Sequence, residues 1–271
     1  MRTWLGWIWI LGLVSQTAAA QSPSEAAATA VVDRVALLTE RMAELGFEQE
    51  LVIDHAAAAG SVGLTLLPTQ VVFFSGNRTA ASLVGRRPTV ALDLPLRALV
   101  YADEAGAVHV ERDDIGVLID RHEVPLGGFA LRWVDTALDR LAEEDTGLVT
   151  VASERSVEDT TAALLAVLAE RGFRVPLVID YGERLGLPRP MRLVMFGNPN
   201  VGTPLMQSSR NVALDLPQKM LIFENEQGQV ELVYNHPAYL ARKHGVSGHH
   251  ARLANIESAL AAIATAAATA P

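Results

Sequence analysis

Four histidines, His236, His244, His249 and His250, crowd the C-terminal part of the chain beside Tyr234 and Tyr239. Imidazoles at that density invite zinc or copper, with Met191, Met195 or Met206 as softer ligands. The spacing opposes it, since there is no His-Glu-x-x-His and the eight residues from His236 to His244 subtend roughly 80° of a helix. His249 and His250 lie in a Gly-bounded loop, where surface histidine is ordinary. No metal is assigned; His236 and His244 would head any such set. Asp93 and Asp215 stand in identical settings, each between leucines and before proline. Facing each other across a pseudo-twofold axis they would form an acid/base pair if burial raised one pKa, and the other reading is that each caps a turn. Gly197-Asn198-Pro199 through Thr203 leads from a strand into a helix and can aim backbone N–H groups and a hydroxyl at an anion. Turn chemistry explains the same residues, with Pro204 at a first helical position, and without Gly-Lys-Ser/Thr there is no P-loop. Gly245-Val246-Ser247-Gly248 misses a nucleophile elbow, because its second glycine comes one residue early and it follows a helix.

Composition narrows the chemistry further. The chain has 271 residues and no cysteine, which excludes disulfides, thiolate metal sites, a Cys nucleophile and iron–sulfur clusters. A net charge of −9 opposes a phosphate-gripping nucleic-acid binder. Arg2, the apolar run Trp4 to Val14, and small residues at Ala18 and Ala20 predict a secretory signal peptide over 1–20, cleaved before Gln21. Its apolar part is shorter than the roughly 20 residues of a membrane span, although a retained anchor helix is the other reading. Cleavage removes one Arg and no acid, leaving 251 residues at −10. An exported, cysteine-free chain suits the periplasm.

The elements that must position these residues occur twice. Val90 to Pro95 recurs as Val212 to Pro217, and carrying that register from 90–124 onto 212–246 gives 13 identities in 35 positions, His122 with His244 among them. Chance gives about two, at roughly 6% random identity. Arg97 pairs with Lys219 and Asp113 with Asn235. Upstream, Leu51 to Asp54 matches Leu177 to Asp180, and Gly76-Asn77 matches Gly197-Asn198 with five extra residues in the first copy. The expected domains are a first repeat over 24–144 and a second over 147–268.

In the second copy, Leu148 to Ala152 reads as a strand, Ser156 as an N-cap with Asp159 in capping-box position, and Gly172 as the left-handed end of the helix. Strands follow at Val175–Tyr181, Arg192–Phe196, Lys219–Glu224 and Val230–Tyr234, the last two joined by a hairpin turn at Asn225 to Gly228. Helices at Pro237–His244 and Arg252–Ala264 close the copy. The order predicts an α+β fold: two tandem domains, each a mainly antiparallel sheet covered by helices, packed as a pseudo-dimer. Ser22 to Ala27, aligned with the opening strand, lack β-branched and aromatic residues, so the first copy is expected to lack that strand.

Gly197-Asn198-Pro199, Gly202-Thr203-Pro204-Leu205-Met206, Leu214-Asp215-Leu216-Pro217 and Tyr234-Asn235-His236-Pro237 with Tyr239-Leu240 resemble the domain of unknown function 302 family. The first copy departs from that pattern, with Ala80 to Gly85 and Arg112 to Ile115 replacing two of its segments. The resemblance implies a small α+β domain, often dimeric, with no established activity and no catalytic residues to carry over. The expected function is a non-enzymatic periplasmic binding or accessory module, its ligand site drawn from Gly197, Asn198, Pro199, Thr203, Asp215, Tyr234, His236 and Tyr239. The alternatives are an enzyme or metal-binding protein using Asp215 and His236, and a partner protein working through its acidic surface. No cofactor, no nucleic acid and no membrane span after cleavage are expected; the partner is an unknown small ligand or a periplasmic protein.

Overall fold

The computed structural model describes residues 23–113, 115–125 and 146–270. The predicted signal segment and the end of the first repeat, residues 126–144, lie outside them.

The first copy runs α1 (Pro23–Glu44), β1 (Glu48–Asp54), α2 (His55–Gly60), β2 (Thr69–Ser75), α3 (Asn77–Val84), a 3-10 helix (Pro88–Asp93), β3 (Leu96–Ala102), β4 (Val108–Arg112) and α4 (Ile115–Arg121). The second runs β5 (Leu148–Ser153), α5 (Val157–Glu170), β6 (Arg174–Asp180), α6 (Tyr181–Leu185), β7 (Met191–Gly197), α7 (Pro199–Ser208), a 3-10 helix (Arg210–Asp215), β8 (Gln218–Glu224), β9 (Val230–Asn235), α8 (Pro237–Lys243) and α9 (His250–Ala268). Among the described residues every strand pair is antiparallel, in the orders β1-β2-β3-β4 and β5-β9-β8-β7-β6, so the first sheet has four strands where the second has five. Of the residues that align with β5, Pro23 to Ala27 belong to helix α1. Ser156 caps α5 by accepting from the Asp159 N–H at 3.0 Å, and Gly172 takes φ +71° just beyond that helix.

The inner strands carry continuous apolar runs because both of their faces are buried. Val72, Phe74 and Val100 face α1; Val194, Met220 and Ile222 face α5 and α9, whose Ala264, Ala267 and Ala268 permit close approach. The opposite faces, including Val71, Phe73 and Leu99 of one sheet and Leu193, Leu221 and Val233 of the other, join a single core that crosses between the copies. Tandem domains ordinarily keep separate cores; these two share one.

The paired strands also fix the equivalence of the repeats. Glu48 faces Ser75 as Arg174 faces Gly197, which equates Ser75 with Gly197 and Gly76, the N-cap of α3, with Asn198, the N-cap of α7. The sequence match of Gly76-Asn77 with Gly197-Asn198 is therefore one residue out of register: it followed the glycine, whereas the ladder and the cap define the position.

Truncating Leu221 to Ala, fully buried in the shared core, is expected to destabilise by about 2–5 kcal/mol while unfolding stays a single transition. Calorimetry checks this, and two resolved transitions would show that the copies unfold independently.

Candidate functional site

Two places in the interior gather polar groups that could carry chemistry. The first is the junction of the copies. Each 3-10 helix ends on its aspartate and packs against the other copy's strand, Pro88–Asp93 on β8 and Arg210–Asp215 on β3. Arg97, from β3, sits between them. Its Nη1 donates to Asp215 Oδ1 at 2.6 Å across the copies, Nε and Nη2 donate to Asp113 at 2.6 and 2.8 Å, and Nη2 reaches Asp93 at 3.5 Å. Asp93 Oδ2 also accepts from Arg121 and from His122 Nε2, each at 2.7 Å. Asp215 Oδ2 accepts from His244 Nε2 at 2.6 Å and Lys243 at 2.9 Å. Arg121 donates a further bond to Asn235 of the second copy and stacks 4.8 Å from the Tyr239 ring centre.

Burial works against ionising both aspartates, yet their partners outweigh it. His122, Arg121 and Arg97 hold the Asp93 carboxyl far below the usual carboxylate range, and Arg97, His244 and Lys243 do the same for Asp215. Lys219, the counterpart of Arg97, is different. Its ammonium is buried without a hydrogen-bond partner, and burial, reinforced by the Arg97 charge, pushes its pKa down to about 7. The charge count explains this: Asp93, Asp113 and Asp215 are matched by Arg97, Arg121 and Lys243, and Lys219 is the surplus cation.

The repeat-related aspartates thus meet through a shared arginine, both ionised, and share no proton. His236 stands apart from Asp215: it caps α8, accepting from the Ala238 N–H at 3.2 Å, with Glu257 3.4 Å away. His244 is bonded to Asp215, and no group of three or more His, Cys, Asp or Glu suited to a metal forms among the described residues. Tyr234 is buried in the outer core of the second copy.

The second place is a cavity of about 920 Å³ with largely apolar walls, lined by both copies. Gly197, Asn198, Pro199 and Thr203 line it; Asp215, Tyr234, His236 and Tyr239 do not. Asn198 caps α7 by accepting from the Asn200 N–H at 3.0 Å. Pro204 removes the amide that would bond the Asn200 carbonyl, and that carbonyl accepts from Arg252 at 3.4 Å. Three lining residues hold buried polar atoms with no hydrogen-bond partner, His55 Nε2, Thr203 Oγ1 and Gln218 Oε1. Burial pushes the His55 pKa down to about 4, only partly offset by the Leu216 and Ala213 carbonyls and Asp54, so the imidazole is neutral near pH 7.

The equivalent place in the other half is closed. A pocket of about 10 Å³ is walled by Phe47, Phe74, Gly76, Pro95, Leu96 and Tyr181, where the open cavity has Phe173, Phe196, Asn198, Pro217, Gln218 and His55. Phe47 lies against Gly76 so closely that a Cβ there would stand 2.5 Å from its ring. Phe173 instead meets Phe196 edge-on at 5.6 Å. Tyr181, 2% exposed and starting α6 as His55 starts α2, fills its side.

A family model described as "Domain of unknown function DUF302" matches residues 23–143 and again 149–267. The "Fluoride-specific ion channel FluC 1" proteins of Brucella suis biovar 1 (strain 1330) and Brucella abortus biovar 1 (strain 9-941) are each 43% identical over 107 residues, 38% of this chain and 42% and 39% of theirs. The chain thus spans about two fifths of the curated relatives it matches. The crystal structure of an uncharacterized conserved DUF302 protein from Bacillus stearothermophilus aligns at 23% identity and a TM-score of 0.41, over 45% of this chain and 98% of that one. No described helix is long and apolar enough to cross a membrane.

Lys219→Met supplies a test of the charge count. The folded pKa near 7 lies below the ordinary 10.5, so the unfolded chain binds the extra proton and native stability rises with pH between those values. The methionine variant is expected to gain about 1–4 kcal/mol at pH 6, shrinking toward zero above pH 10, measured by denaturant titration.

Proposed function

This chain belongs to the DUF302 family in both of its halves, and from that premise we propose that it is a non-enzymatic binding protein holding one small molecule in the open cavity between the copies. One observation carries this reading: of two pseudo-equivalent places, one is closed to about 10 Å³ and the other holds about 920 Å³, within the range of small-molecule sites. Orphaned polar atoms beside an apolar hollow fit a ligand that brings its own hydrogen-bonding groups. In the polar cluster at the junction each aspartate is bonded to arginine and histidine donors, and the imidazole on Asp215 is that of His244, not His236. The transport function in the Brucella names stays with those proteins; a largely apolar hollow of this size is far larger than a monatomic ion requires.

The expected outcome is saturable, one-to-one binding of 1-anilinonaphthalene-8-sulfonate by fluorescence, weakened at least tenfold by His55→Tyr, which installs the residue that closes the other half. Binding that is absent, or indifferent to that substitution, would overturn the reading.

We propose further that residues 1–20 direct export to the periplasm and are then removed. Arg2, the apolar run and Ala18 and Ala20 support this. Mass spectrometry of the periplasmic protein is expected to find Gln21 at the amino terminus, and a retained Met1 would refute cleavage.

A further inference from the structure

The character of the cavity wall changes with depth. His55 and Thr203, the deep polar residues, are 5% and 0% exposed. Nearer solvent the lining includes two cations, Arg174, exposed on the edge strand β6, and Arg252, half-buried in the first turn of α9, together with the exposed Asp54 and Asn255. Gly248, His249 and Ala251 of the same helix start also line the cavity, and His249 makes no side-chain cap bond, which leaves the positive end of a 19-residue helix at this wall. Between rim and floor the wall is apolar, with Phe173, Phe196, Leu205, Met206, Ile256 and Leu260. One acid, Asp54, lines the space, and its oxygens are already engaged by the Ala57 N–H at 2.8 Å and Gln70 at 3.1 Å. A chain of net charge −9 therefore presents a cationic rim here.

Resting on the binding function proposed above, we infer that the ligand is an anionic amphiphile of the fatty-carboxylate kind. Its charged head lies at Arg252, Arg174 and the start of α9, and its apolar body fills the hollow. The head is held by charge-assisted hydrogen bonds and the body by apolar burial.

Calorimetric titration of delipidated protein, expressed from the full-length gene, with three twelve-carbon probes below their micelle concentrations tests this. Dodecanoate is expected to bind one-to-one and at least tenfold tighter than dodecanol, with dodecyltrimethylammonium weakest. Arg252→Gln with Arg174→Gln is expected to abolish the preference for the anion, dodecanoate then binding no tighter than dodecanol. Equal affinity for all three probes, or a preference that survives both substitutions, overturns the anionic assignment and leaves the cavity as a binding site. Failure of every probe to bind overturns the binding function with it.

Discussion

Arg97 is the group on which the arrangement of the two halves depends. A guanidinium buried at the junction is costly to desolvate, by several kcal/mol, unless carboxylates meet it with good geometry. Asp113 and Asp93 of its own copy and Asp215 of the other do so. Because one contact comes from across the junction, the copies cannot slide or separate without leaving a buried charge unmatched. The apolar core that runs between the sheets supplies adhesion of a non-directional kind; the arginine supplies register. Everything on either side of the junction, including the two places where one copy's β1–α2 corner meets the other's loop, is set by that register.

Within it the halves have diverged in complementary ways. The first copy has the arginine, and the second has Lys219, which finds no partner at the equivalent position. At the corners the roles reverse: the second copy supplies Tyr181, which fills its place, and the first supplies His55, which leaves one open. The chain therefore behaves as a dimer whose two interfaces are free to differ, something a pair of identical subunits cannot achieve.

Much of the scaffold was legible in the residues. The strands of the second copy, the hairpin at Asn225 to Gly228, the Ser156 cap and the left-handed Gly172 follow from local chemistry, which acts over a few residues. The repeat also identified Asp93 and Asp215 as a related pair. Their partners were not legible, because Arg97 bonds an aspartate 118 positions away, and no periodicity encodes which copy's strand receives which 3-10 helix. The lining of the cavity was half legible for the same reason. Gly197, Asn198, Pro199 and Thr203 lie on one loop and its helix and were found together. His55, Gln218 and Arg252 come from other elements and join them only when the copies dock. Tyr234, His236 and Tyr239 were grouped with them by nearness in sequence, yet β9 and α8 carry them elsewhere. The signal available was the exchange of His55 for Tyr181 directly after the matched Ile-Asp segments.

The closed pocket also sets the form of the molecule's response. Two equal pockets related by a twofold axis, both walled by the same moving parts, would let occupancy of one bias the other. With Tyr181 and Phe47 filling one of them, the described residues leave one of this related pair open, and homotropic coupling between the two has nothing to act on. On the binding function proposed above, occupancy follows a simple hyperbola, without the threshold that coupled sites would give.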